Sequence, residues 1–199
     1  MAKENVAGFQ ALLEHGADLK ASINDPEHSR HGERTRQVIE LVVSAFNPEF
    51  LRVSLKHGFD PDYVPYPKMN ESLLFRAIWT HAINNAEVLL DAGADINHVD
   101  ANGTTPLILS QYMRYYEMVL LLLSRGADPF IQTPGGNDLA GLMKEYGIRG
   151  VSDKQLPHFQ KVIAELKKRN LITDADIENA NKRIPFSTRE PQGDNPDNR

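Results

Sequence analysis

The sequence predicts an all-α solenoid of about four and a half helix-turn-helix repeats, closed by a C-terminal capping helix. Three observations carry this expectation. The motif Leu89-Leu90-x-x-Gly93-Ala94-Asp95 returns as Leu122-Leu123-x-x-Gly126-Ala127-Asp128, 33 residues later. Each copy sets a leucine pair, the apolar stripe of a helix, just ahead of a glycine placed where a helix stops through a left-handed residue. Between the copies, Asp100-x-x-Gly103-x-Thr105-Pro106-Leu107 supplies a helix start: the threonine hydroxyl caps an orphan amide and the proline presets φ just inside. Helix pairs this short cannot bury an apolar face alone, so copies must stack.

Taken in order, residues 2–18 read as the second half of such a unit, with Phe9, Leu12 and Leu13 as the apolar stripe and Gly16 as the stop. Its first helix is missing, and two readings stay open: a divergent natural terminus, or a leader removed upstream of Met1. The next closing glycine, Gly58, lies 42 residues on, and the surplus over 33 falls in a polar loop at 21–32. A helix is then expected over 33–45 with Val38, Ile39, Leu41, Val42 and Val43 inward. Asn47-Pro48 starts a second through Phe50, Leu51, Val53 and Leu55.

From Gly58 to Gly93 the spacing is 35, and the excess falls in a finger at 60–70 holding three prolines, expected to be stiff and poorly paired. Asn70 stands where Gly103 stands one repeat later and can take the left-handed region. Ser72 to Phe75 opens the next helix, with Leu74 and Ile78 inward, and its mate runs from about Asn84 to Asp91. After the unit at 105–125, a last one begins near Gly136-Asn137-Asp138. Its second helix, over 153–169, sets Phe159, Val162, Ile163 and Leu166 on one face and charge on the other, as a cap requires. Thr173 caps a short helix to about Ile184. The repeat domain is therefore placed at 1–184 (a half-repeat at 1–20, then repeats at about 33–60, 70–95, 102–128 and 136–170), with a disordered tail at 185–199.

Composition narrows the function. A hydrophobic content of 41% with 25% charged residues is that of an ordinary globular chain. A formal net charge of −5 argues against a nucleic-acid backbone as main partner. No apolar run reaches the roughly 18–20 residues of a membrane span. Cysteine is absent, which removes disulfides, thiolate nucleophiles and thiolate metal sites. His28 and His31 have ligand-like spacing but only Glu27 or Glu33 as added donors, so they read as a surface loop. His15 and His57, ahead of closing glycines, read as cations suited to helix C-termini; His81 and His98 read as partner-facing or solvated. No nucleophile elbow, H-E-x-x-H or phosphate-binding loop occurs. Asp60 and Asp62 read as turn residues, and Tyr115 and Tyr116 as packing at the edge of an interhelix turn.

The Asp100 to Leu107 opening and the two Leu-Leu-x-x-Gly-Ala-Asp closes resemble the ankyrin repeat. That resemblance implies a non-enzymatic module that binds a protein partner on the concave face made by the fingers and first helices, with no cofactor and no metal. Transferring that face by position selects Tyr63, Tyr66, Glu71, Arg76, Trp79, Thr80, Ala101, Asn102, Thr104, Tyr112 and Met113. Trp79, the only tryptophan, aligns with Tyr112 at the 33-residue period. The pair reads as two interface anchors, or alternatively as rings stacked on each other in the inter-repeat core. Small bacterial ankyrin proteins of this kind include immunity proteins that block a secreted toxin or phospholipase effector, which is the specific expectation. A host-directed effector and an enzyme's regulatory subunit are the alternatives. The chain is expected to bind no nucleic acid, to be monomeric when free and to be cytoplasmic, or periplasmic if a leader was removed.

Overall fold

The computed structural model describes residues 2–24, 35–148 and 151–182. The loop histidines His28 and His31 and the tail at 185–199 lie outside the described residues. Among the described residues ten helices follow in order: α1 (Ala2–Glu14), α2 (Val38–Ser44), α3 (Glu49–Lys56), α4 (Leu73–Trp79), α5 (Ile83–Asp91), α6 (Pro106–Tyr112), α7 (Tyr116–Ser124), α8 (Leu139–Tyr146), α9 (Leu156–Lys168) and α10 (Asp174–Lys182). They form hairpins α2/α3, α4/α5 and α6/α7. In one row α2, α4, α6 and α8 each pack on the next. In the other, α1 packs on α3, α3 on α5 and α7 on α9, while α10 closes on α8. This is an all-helical stack, apart from one short ribbon.

The local chemistry explains the boundaries. Gly16, Gly58, Gly93 and Gly126 all hold φ between 85° and 90°. The amide just beyond each glycine bonds back to the helix's last turn, as Ala94 N does to Leu89 O at 3.0 Å and Ala127 N to Leu122 O at 3.0 Å. Asp18, Asp60, Asp95 and Asp128 then each accept the amide two residues on, at 2.8–2.9 Å, which turns the chain into the finger. Thr105 Oγ1 accepts Ile108 N at 3.2 Å ahead of Pro106. Thr173 and Asp176 exchange side-chain to backbone bonds at the start of α10. Asn70 adopts φ 51°, as its alignment with Gly103 requires.

Four expectations change. The helix expected over 33–45 begins only at Val38. Thr35–Gln37 is instead a strand paired antiparallel with Ser22–Asn24, and Gln37 is extended. Leu12 and Leu41 face outward, 61% and 39% exposed. Leu12 points away from α3, where Phe9 makes the edge-on contact with Phe50. Tyr116 is not edge packing: it is 1% exposed, with Phe159 of α9 edge-on at 5.2 Å. Finally, the 60–70 finger is well paired. Its prolines lack donors, but its carbonyls and tyrosine hydroxyls bond to the preceding repeat.

The core runs without a break through the stack, with Ile39, Leu51, Leu74, Ile78, Leu89, Leu107, Met118, Leu122, Leu142 and Leu166 all nearly fully buried. Each repeat packs on its neighbours, so damage propagates locally. Leu107→Ala is expected to cost about 2–4 kcal/mol, since the site is enclosed on all sides and cannot collapse freely. A urea melt checks this; a loss under 1 kcal/mol would mean that the α4/α6 seam is looser than its burial indicates.

Candidate interaction face

The residues selected from sequence lie on α4, α6 and the fingers ahead of them, and the structure divides them into two groups. The first is a polar network between α2 and the long finger. Glu40, 3% exposed, stands one turn into α2. Its Oε1 accepts the Gln37 amide at 2.9 Å and the Tyr66 hydroxyl at 2.8 Å, and its Oε2 lies 3.9 Å from Arg76 Nη1. The Tyr63 hydroxyl donates to Gln37 Oε1 at 2.9 Å, and Gln37 Nε2 donates to Pro65 O at 3.3 Å. Arg76 Nε donates to Ser44 Oγ at 3.1 Å. A carboxylate this buried requires paired donors. Tyr63, Tyr66 and Arg76 thus spend their polar ends inside the chain, which leaves mainly ring faces and aliphatic stem toward the outside.

The second group runs along the ends of α4 and α6. Trp79 Nε1 donates to Glu71 Oε1 at 3.2 Å, which fixes the indole over the strand-like entry to α4. Thr80 Oγ1 donates to Arg76 O at 2.9 Å as the helix ends. One repeat on, Tyr112 is 48% exposed and Met113 half-buried. Trp79 itself is half-buried, and no ring contact joins it to Tyr112 among the described residues. Asn102 and Ala101 are exposed on the next finger, where Asp100 Oδ1 accepts the Asn102 and Thr104 amides at 2.8 and 2.7 Å. Ala101 N also donates to Met69 O at 2.9 Å, so neighbouring fingers are coupled.

Several contributors were not legible in the sequence. Glu40 and Gln37 sit inside a helical pattern and look like surface residues until the finger folds over them. Asn85, 1% exposed, donates through Nδ2 to Val43 O at 2.8 Å and Ala45 O at 2.7 Å, capping the carbonyl end of α2. The aligned position one repeat later is Met118, so only the break from apolar to amide could have flagged it. His81 stacks on Tyr115 at 4.1 Å, and His98 Nε2 donates to Asn70 O at 2.7 Å. Both are structural rather than simply solvated. Among the described residues no group of three or more His, Cys, Asp or Glu could hold a metal, and no helix is long and apolar enough to cross a membrane.

Comparison with known proteins agrees with this architecture. A family model for ankyrin repeats, in three copies, matches residues 40–133. The chain is similar to the human transient receptor potential cation channel subfamily A member 1, 34% identical over 84 residues, or 41% of this chain and 8% of that protein. It is also similar to a putative ankyrin repeat protein of Fowlpox virus (strain NVSL), 35% identical over 91 residues, 45% of this chain and 22% of the viral protein. The chain thus spans less than a quarter of the length of either relative.

Proposed function

We propose that this chain, an ankyrin-repeat protein whose repeats cover residues 40–133, binds its partner through the face made by α4, α6 and their fingers. Ankyrin repeats are protein-interaction modules, and the observation that carries this placement is Tyr112. A large aromatic ring is left 48% exposed at the end of α6, at the position that Trp79 holds one repeat earlier. Such rings offer contact area at low side-chain entropy. Glu71, Thr80, Asn102, Thr104 and Met113 surround them with polar and flexible groups and Arg76 adds its aliphatic stem, while Tyr63 and Tyr66 form the wall on the finger side. The network around Glu40 holds that wall in place before binding, which lowers the ordering cost.

The test starts from a partner captured by the wild-type chain in its native cell, identified and then titrated. Trp79→Ala and Tyr112→Ala should each weaken binding by about 2 kcal/mol. Tyr112→Ala should shift the denaturant midpoint only slightly, because its ring is half in solvent. Intact binding in the double variant would refute this face as the binding site. The narrower reading is that the partner is a secreted toxin or phospholipase which the chain blocks. It rests on the form of the sequence alone, a single small ankyrin domain with divergent early repeats. Co-expression with such an enzyme encoded beside it should rescue growth, and continued killing would dismiss it.

A further inference from the structure

The outer row of helices carries a surface that the face above does not use. Counted back from the closing glycines, Arg52 on α3, Glu87 on α5 and Leu120 on α7 occupy the same position. Where two helices present charge, α7 presents leucine. Leu120 and Leu121 are both only half-buried, on a helix reading Tyr-Glu-Met-Val-Leu-Leu-Leu-Leu-Ser. With Ile83 of α5 they floor a groove of about 480 Å³ that spans α5, α7 and α9. Its rim takes one carboxylate from each of those helices, Glu87, Glu117 and Glu165.

The rim is not neutralised from within. Glu165 is paired with Arg169 at 2.8 Å, but neither Glu87 nor Glu117 has an ion pair among the described residues. Glu117 lies in the first turn of α7, where the helix dipole favours it. Glu87 stands in the middle of α5 and has no such local reason. An apolar floor with uncompensated negative charge on its α5 and α7 sides repels phosphate surfaces and selects a ligand with an apolar stripe flanked by cations.

We propose that this groove is a second docking surface, and that it takes a basic amphipathic helix of a partner protein. Leucine-like side chains of that helix seat on Ile83, Leu120 and Leu121, and its lysines or arginines reach Glu87 and Glu117. This goes beyond the aromatic face, which lies on the other row of helices, so either surface can fail without the other.

The probe is a fluorescein-labelled synthetic helix of about four turns, with leucines at i, i+4 and i+7 and lysines elsewhere, and a control with glutamate for lysine. At low salt the basic helix should bind the full chain and the acidic one should not, with amide shifts confined to α5, α7 and α9. Glu87→Lys combined with Glu117→Lys should weaken binding about tenfold or more, and added salt should weaken the wild-type complex. Leu120→Gln, at a position where the preceding repeat already carries a polar residue, should weaken it while leaving the melt nearly unchanged. Equal affinity in both variants, shifts on α4 and α6 instead, or a groove filled by a second copy in sedimentation would overturn the proposal.

Discussion

Replacing Tyr116 by alanine is expected to lower the unfolding free energy by about 3–5 kcal/mol. The ring is 1% exposed and sits between α7 and α9, edge-on to Phe159 at 5.2 Å. Its removal opens a cavity at the joint between α7 and α9, the main packing contact of α9. Hydrogen exchange should therefore accelerate first in α9 and α10. Burial pushes the Tyr116 phenol's pKa above its ordinary 10.0, partly opposed by the nearby Arg114 charge. A raised folded-state pKa means that this contribution is whole below about pH 10 and is lost as pH climbs through the folded value. Tyr116→Phe keeps the packing and should flatten that alkaline loss relative to wild type. Denaturant melts at neutral and alkaline pH check both statements. An alanine variant within 1 kcal/mol of wild type would show that the cap stands without this ring.

Removing the Glu40 carboxylate should cost nearly as much. Glu40→Ala takes an acceptor from the Gln37 amide and one from the Tyr66 hydroxyl, which keeps Thr35 O at 3.1 Å, and removes the carboxylate that lies 3.9 Å from Arg76 Nη1. Deleting one member of a buried charged set costs about 3 kcal/mol. Tyr66→Phe, which removes one donor and keeps the ring, should cost only about 1 kcal/mol. The signature is regional: exchange in the 60–70 finger and at the start of α4 rises before that of α7. If Glu40→Ala melts like wild type, then the finger is held by its turns and by Pro65 packing, and the network is incidental.

The repeat units could be read directly because each is a local device. A glycine at φ near 90°, an aspartate folded onto the amide two residues later and a threonine-proline helix start need only their own neighbourhood, so letters alone placed helices α4 through α7 and the stops of α1, α3, α5 and α7. The same holds for the α9 stripe of Phe159, Val162 and Leu166. What the letters could not decide is which faces meet. Leu12 and Leu41 carry the right periodicity but remain 61% and 39% exposed, because periodicity marks a stripe and not the helix that must cover it. Tyr116 looked peripheral next to a turn, yet a helix some forty residues later closes over it. The strand at Thr35–Gln37 exists only because Ser22–Asn24 returns to pair with it, a contact between segments that neither one encodes. For the proposed binding face, Trp79 and Tyr112 were picked out by their shared period, whereas Glu40 and Gln37 gave no signal and Asn85 only a break from apolar to amide. A carboxylate or amide in a helix reads as solvated until the tertiary fold removes its water and supplies the tyrosine, arginine or carbonyl that takes its place.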